Sequence, residues 1–472
     1  MSKLLKIAVA LIWSGAFSLF AAETPNVILV MCDDLGWGDV SFNGGKIIKT
    51  PHLDEMAGNS LKFNRFYAAA PVCSPTRGSV VTGRHPFRYG IYFANTGHMK
   101  LQEFTLYEAL KTKGYRTGHF GKWHMGTLTT KIKDSNRGKP GNTENHSAPW
   151  HHEVDTCFVS ESKTPTFDPM IRPKGKRFNG KWWFPVKEAD QAQEYGTWYW
   201  IGEDQRAEPG MLKGDDSKLI MDHAIPFIED ACDRKKPFFA VVWFHTPHLP
   251  VVAGAEHTGL YPGTSSYEAN YYGCVTAMDE QIGRLRKKLR ALGVADNTML
   301  AFCSDNGPEG KQGAAPGSAA HFRGRKRSLY EGGIRVPGLL EWPAKIEKAR
   351  VTDMATGTVD YFLTIMEAVG FDLPDPERPM DGVSLLPLIE GTRSERPRPL
   401  GFQSKNQIAL SDNRYKIYSS DKGRTYELYD LLEDPSETRN LAEQKPEILK
   451  KMVETVEAWR ASCQASDEGR DY

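Results

Sequence analysis

The side chains best suited to chemistry stand in a few short stretches, most of them at the end of an apolar run. Cys73-Ser74-Pro75-Thr76-Arg77 sets a thiol and a guanidinium on either side of a proline. With Ser74 as N-cap and Pro75 as the first helical residue, free backbone N–H groups and the positive dipole end would face whatever Cys73 binds, which outlines an anion site. Asp33-Asp34 and Asp305-Asn306 offer four oxygen-bearing side chains without a required thiolate or imidazole, a donor set that suits Ca²⁺ or Mg²⁺ better than zinc. Taken alone, Asp33-Asp34 also fits a solvated turn. Lys122 and His124 stand two apart and can point into one pocket or simply decorate a surface. His245 and His248 share a loop with Pro247 and Pro250, whose rings fix its backbone. Lys326 lies in a basic cluster from Arg323 to Arg327.

These stretches need elements to position them. Asn26 to Cys32, Pro237 to Phe244 and Thr298 to Cys303 are continuous apolar runs of the kind buried on both faces of a parallel sheet. Tyr115 to Phe120 reads as a shorter strand. In open α/β sheets ligands bind beyond the carboxyl ends of the strands, where the acidic, Lys/His and His/Pro stretches fall. Thr105-Leu106-Tyr107-Glu108 is a capping box, Asp216 to Glu229 reads as a helix, and Asp360 caps a helix through Val369. From Ser266 to Leu292 the apolar positions Tyr271, Val275, Met278, Ile282, Leu285 and Leu289 recur at steps of four and three, which predicts an amphipathic helix on the sheet with its charge run in solvent. Thr127 to Gly210 is irregular and holds Trp150, Trp182, Trp183, Trp198 and Trp200. It reads either as an insertion that stacks aromatic faces on sugar rings or as a minicore that holds the insertion together. Pro-rich sequence from Leu373 to Met380 looks like a boundary, followed by short strands and a final helix from Pro446 to Cys463.

The 472 residues suffice for one large domain and a smaller one. Lys and Arg total 60 against 59 Asp and Glu, so the isolated Arg323–Arg327 cluster lacks the basic footprint that nucleic acid requires. Lys3 and Lys6 precede an uncharged apolar run from Ile7 to Phe20 and small residues at Ala21 and Ala22. That run is too short to span a bilayer and reads as a cleaved leader of residues 1–22, the alternative being a buried first helix. The expected location is exported, periplasmic or secreted, without stable membrane insertion after leader removal. An exported chain with seven cysteines normally suggests disulfides, but Cys32, Cys274 and Cys303 fall in apolar core positions, which favours mostly unpaired thiols. The odd count leaves at least one Cys free or modified, and Cys73 is the candidate.

Across nearly the whole mature chain these residues resemble the formylglycine-dependent type I sulfatases of the alkaline phosphatase superfamily. The resemblance rests on Cys-x-Pro-x-Arg at Cys73 to Arg77, in order with Asp33-Asp34, Gly121-Lys122-Trp123-His124, His245-x-Pro247-His248, Asp305-Asn306, and Lys326 ahead of Tyr330-Glu331-Gly332-Gly333. Leu428-Tyr429-Asp430-Leu431 with Asp434-Pro435 and Asn440-Leu441 is similar to the family's closing segment. The family implies a large α/β/α sandwich domain with a mixed, mostly parallel sheet, here residues 23–375. A smaller C-terminal α+β subdomain with a short antiparallel sheet would follow at residues 376–472. It implies that Asp33, Asp34, Asp305 and Asn306 bind one Ca²⁺, or Mg²⁺, beside a 3-oxoalanine (formylglycine) made from Cys73 by a formylglycine-generating maturation system. Arg77 would steady the hydrated aldehyde, and Lys122, His248 and Lys326 would hold the sulfate oxygens. His248 or Lys326 would help the leaving oxygen, and His124 would act as base. His245 has the weaker claim to substrate, with a structural role as its alternative.

Such a site makes chemical sense for a sulfate ester, whose negative charge must be dispersed in the transition state by a metal and cationic donors. One hydroxyl of a hydrated aldehyde can attack sulfur and release the alcohol; deprotonating the other then expels sulfate and restores the aldehyde. A plain thiol or Ser lacks that second hydroxyl. The expected substrate is a sulfated polysaccharide or oligosaccharide, an algal galactan such as carrageenan or a glycosaminoglycan. The competing readings are a phosphate or phosphonate monoester hydrolase of the same superfamily and a non-catalytic sulfoglycan-binding protein.

Overall fold

A computed structural model describes residues 24–174 and 193–472. The expected leader and the expected stacking residues Trp182 and Trp183 lie outside the described residues.

Five parallel strands form the centre of a ten-stranded sheet among the described residues, in the spatial order Thr298–Ser304, Asn26–Cys32, Phe238–Trp243, Arg116–Lys122, Thr156–Ser160. Gly338–Glu341 and Tyr199–Gly202 add antiparallel neighbours on the two sides, so the sheet is mixed but mostly parallel at its core. The apolar runs follow from burial on both faces. Val27, Leu29 and Met31 pack on one side with Trp243 and with Val80, Leu106 and Phe362 from helices. Ile28, Val30 and Cys32 pack on the other with Ile220, Val275 and Ile282. Fully burying one such side chain contributes about 1.5–3 kcal/mol. Alternation along each strand therefore supplies two cores and recruits helices to both faces, an α/β/α sandwich.

The two long helices on one face are Asp216–Asp233 and Ser266–Ala291. The second contains the expected apolar stripe, but Arg286 departs from the solvated charge run. It is 3% exposed, with Nε and Nη2 on the Glu341 carboxylate at 2.8 and 2.9 Å, so it ties the helix to the sheet. The Thr105–Glu108 capping box forms as read, with Glu108 accepting from the Thr105 N–H at 2.6 Å. Two other caps differ. Helix Cys73–Thr82 starts at Cys73 with Val72 as its N-cap residue, and the Ser74 hydroxyl instead donates to the His124 carbonyl at 2.6 Å. That buried carbonyl, two residues past the end of strand Arg116–Lys122, takes the hydroxyl in place of a capping bond. In helix Asp360–Ala368 the Asp360 carboxylate is occupied by Arg396 at 2.6 and 2.9 Å and by the Gly357 and Val383 N–H groups.

The tail is a four-stranded antiparallel sheet, Leu400–Ser404 through Glu427–Asp430, followed by helix Pro446–Asp467. Arg88 joins this helix to the larger unit by donating to Asp381 at 2.7 and 3.0 Å and to Ser462 and Ser466 at 2.9 and 3.0 Å. A second joint is buried. The Lys416 ammonium lies 2.9 Å from both Glu331 and Glu437, bracing the segment that carries Lys326 against the tail.

Candidate active site

Four parallel strands deliver the reactive side chains at their carboxyl ends. Asn26–Cys32 ends in Asp33-Asp34, Arg116–Lys122 in Lys122 and then His124, Phe238–Trp243 in the His245–His248 loop, and Thr298–Ser304 in Asp305-Asn306. Helix Cys73–Thr82 brings Cys73 and Arg77 to the same place. Lys326 arrives on a loop held by close backbone packing: a Cβ on Gly333 would stand 1.9 Å from the Ser328 carbonyl oxygen, and one on Gly332 2.2 Å from that of Gly324. The Gly-Gly pair after Glu331 is thus a packing requirement.

The acids and cations interlock. Lys122 Nζ is 2.6 Å from Asp33 Oδ2, Lys326 Nζ is 2.6 Å from Asp34 Oδ1, and Arg77 Nη2 is 2.5 Å from Asp305 Oδ2. The Asn306 amide donates to Asp34 Oδ1 at 2.7 Å, and the Asp34 N–H donates to Asp305 Oδ1 at 3.1 Å. Burial would raise Asp33, but Lys122, His248, Arg77 and Lys326 together hold its carboxyl well below the ordinary range. Asp305 is pushed up to about 7 by burial and by Asp33, against Arg77. Asp34 is also raised, first by burial. Burial raises the Cys73 thiol despite the pull of Lys122 and Lys326, so an unmodified Cys73 is a poor source of thiolate.

The donor set fits a hard divalent cation. Ligand atoms of Asp33, Cys73 and Asp305 lie within 4.8 Å of one another, as do those of Asp33, Asp34 and His248. Asp33 Oδ1 and Asn306 Oδ1 are buried oxygens without a hydrogen-bond partner. Oxygens cost free energy in that state unless a cation takes them up.

The three imidazoles differ. His248 Nδ1 donates to the Leu249 carbonyl at 2.6 Å, leaving Nε2 3.7 Å from Asp34 Oδ2, and burial holds it well below the ordinary histidine range. His124 has φ 56° and donates from Nε2 to Asn95 Oδ1 at 2.9 Å, so its buried, unpartnered Nδ1 is the acceptor. Burial, then Lys122 and Arg137, keep it neutral and well below the ordinary range. His245 is fully buried with Nδ1 2.8 Å from Asp216 and Nε2 2.7 Å from Ser160.

Sequence reasoning did not find Asn95, Glu309, Asn136 or Arg137. Glu309 stands 3.6 Å from Lys326 and takes Arg327 in two bonds at 2.7 and 2.8 Å. Asn95, at φ 62°, occupies the hairpin turn between Ile91–Phe93 and Thr96–Gly97; an Asn two before Gly was a usable turn signal. The stacking reading of the Trp-rich insertion does not hold for two of its members. Trp200 is 2% exposed and donates to Asp134 Oδ2 at 2.9 Å, and Trp198 packs on the core beneath the Arg206 guanidinium at 4.5 Å. A cavity of about 540 Å³ lined by His85, Arg88, Asp381 and Trp459 contains none of these site residues.

Comparison with known proteins agrees with this geometry. The Sulfatase family model matches residues 25–371, and the model of the N-sulphoglucosamine sulphohydrolase C-terminal region matches residues 320–462. The chain is 32% identical over 403 residues to N-acetylgalactosamine-6-sulfatase of Homo sapiens, covering 80% of this chain and 68% of that protein. It is 28% identical over 476 residues to arylsulfatase A of Bos taurus, covering 93% and 88%. The crystal structure of Ps i-CgsB in complex with k-i-k-neocarrahexaose shares the fold at a TM-score of 0.76 and 23% identity, over 94% of each chain. The chain belongs to the sulfatase family of the alkaline phosphatase superfamily, and it is a sulfuric ester hydrolase.

Proposed function

We propose that the chain removes sulfate from a sulfated polysaccharide or oligosaccharide, with formylglycine made from Cys73 as nucleophile and a divalent cation, Ca²⁺ or Mg²⁺, on Asp33, Asp34, Asp305 and Asn306. The observation that carries this is the convergence of Cys73, three carboxylates and three cationic side chains at neighbouring strand ends. Formylglycine supplies two hydroxyls on one carbon when hydrated, and the cation supplies fixed positive charge beside the sulfate.

The protein's own groups do the rest. Lys122 and Lys326 each place Nζ 2.6 Å from a carboxylate oxygen, of Asp33 and Asp34 respectively, so both amines stand where they can hold sulfate oxygens and disperse charge as the ester bond breaks. His248 presents Nε2 to the same space and can donate a proton to the departing oxygen once it has gained one, a role Lys326 can share. Neutral His124, with Nδ1 free, accepts the proton whose removal lets sulfate leave. Arg77 steadies the nucleophile through its place between Asp305 and Asp33. His245 positions its loop through Asp216 and Ser160 rather than touching substrate.

A carbohydrate substrate is supported by two relatives whose names specify sugars, an N-acetylgalactosamine-6-sulfatase and a fold neighbour bound to neocarrahexaose. Algal galactans and glycosaminoglycans are the two substrate classes. The maturation system is a partner acting on Cys73 to Arg77. We further propose export to the periplasm or medium and a boundary near residue 375 between the catalytic domain and the C-terminal subdomain; among the described residues no helix is long and apolar enough to cross a membrane. Steady-state assay of matured enzyme on a panel of sulfated oligosaccharides, with matched aryl sulfate and aryl phosphate esters alongside, tests the reading. Release of sulfate from the sugars is expected, and activity confined to small aryl or steroid sulfates, or a preference for phosphate, would refute it.

A further inference from the structure

Beside His124 lies a polar shelf, one member of which, Arg137, takes no direct part in the proposed reaction. Asn136 donates from one amide to Asn95 Oδ1 at 3.3 Å and to Ser162 Oγ at 3.2 Å, and Asn95 Oδ1 is also the acceptor for His124 Nε2. The next residue, Arg137, donates from Nη1 to the Gly97 carbonyl at 2.6 Å and reaches Glu161 from Nε at 3.4 Å. Its Nη2 is buried without a partner. The Glu161 main-chain carbonyl in turn accepts the His124 N–H at 2.9 Å, so Arg137 and His124 are held on one frame.

The charge balance of this shelf is positive. Glu161 is the acid that faces Arg137, and burial together with Asp134 pushes its carboxyl up to about 7, so it neutralises the guanidinium only in part. A guanidinium with a spare N–H, incompletely paired and next to the base, is built to take an anionic oxygen.

We propose that Arg137 is a specificity-determining residue that binds a second anionic group of the substrate, a neighbouring sulfate or a carboxylate, on the sugar carrying the scissile sulfate or the one beside it. This rests on the sulfated-carbohydrate reading above and narrows it to multiply anionic chains. Removing Arg137 leaves Glu161 able to take up a proton and keep its bond from the Gly138 N–H at 3.0 Å, so the variants are expected to fold.

The test compares wild type with Arg137→Gln and Arg137→Lys on three oligosaccharides of matched length: singly sulfated, doubly sulfated, and singly sulfated with a uronate. The measured quantity is the ratio of kcat/KM for each two-anion substrate over the one-anion substrate. In Arg137→Gln at least one ratio is expected to fall about tenfold, mainly through KM, the size of one charge-assisted hydrogen bond, with Arg137→Lys falling less. The arm that falls identifies sulfate or carboxylate as the group bound. Ratios unchanged within about twofold in both arms would overturn the proposal, as would a wild-type enzyme that does not favour a two-anion substrate. Equilibrium binding of the same oligosaccharides to Cys73→Ala protein, with and without Arg137→Gln, reads the ratio without turnover. Absent sulfate release by wild type therefore counts against the proposed function and not against this subsite.

Discussion

Arg77 Nη2 lies 2.5 Å from Asp305 Oδ2, and both side chains are wholly buried although 228 residues separate them in sequence. The helix that bears Cys73 is thereby pinned to a strand end on the acidic side of the site. Arg77→Ala would leave Asp305 and Asp33 in the interior without their guanidinium. Removing one partner of a buried pair costs about 3–5 kcal/mol, which urea unfolding of the variant should register. Pairing it with Asp305→Asn should recover part of that loss. Additive losses in the double variant would contradict a direct coupling.

Cation removal is expected to act on stability as well as activity. Asp33, Asp34 and Asp305 converge within a site whose orphaned oxygens favour a bound ion. Chelator treatment should abolish sulfate release and lower the melting temperature, and Ca²⁺ or Mg²⁺ should restore both. At a free cation concentration about a hundredfold above its dissociation constant the gain is about 2.7 kcal/mol. A melting temperature indifferent to the ion would exclude a resident cation there.

The Asn95 contact to His124 should matter to turnover more than to binding. With Asn95→Ala the imidazole loses the acceptor that holds its proton on Nε2. A positioned general base supplies about 10²–10⁴-fold, so losing part of its orientation is expected to cost about 10–100-fold. The expected fall is in kcat, accompanied by a changed pH profile; a pure rise in KM would indicate a binding role instead.

Acid should loosen the joint between the large unit and the C-terminal helix. Burial would raise Asp381, but Arg88, His85 and the Trp459 N–H bring its carboxyl down to about 2. Because the folded value is depressed, the stabilisation is fully present above the unfolded carboxyl value and is lost as pH falls from about 4 towards 2. At neutral pH the contribution is roughly 2–3 kcal/mol. Asp381→Asn should therefore be less stable than wild type at pH 7, with the gap narrowing below about pH 4. A gap constant down to pH 2 would contradict the pairing.

Much of the site was legible because strand-end chemistry leaves a local signature. Apolar runs ending in Asp33-Asp34 and Asp305-Asn306 announce both a doubly buried strand and the oxygens beyond it, and the sheet aligns them in register: Cys32 pairs with Ser304. Lys326 was harder, since its place depends on Gly332 and Gly333 packing against distant carbonyls, a three-dimensional constraint without periodicity. Ser74 was misread as a cap because the competing acceptor, the His124 carbonyl, lies 50 residues away. Asn95 and Arg137 sit in turns and irregular sequence, where side-chain direction is set by tertiary contacts and not by a repeat. The same holds for Arg286, whose partner Glu341 ends the strand Gly338–Glu341 and makes a solvent-looking charge on the helix an internal one.

The most direct test concerns Cys73 itself. Mass spectrometry of the Cys73-containing peptide, on protein from the native host whose specific activity has been measured, reads the chemical state of the proposed nucleophile. The expected result is the formylglycine aldehyde, trapped by a carbonyl reagent, in a fraction that scales with sulfate release. Fully active protein carrying Cys73 only as an unmodified thiol would contradict the mechanism while leaving the fold intact.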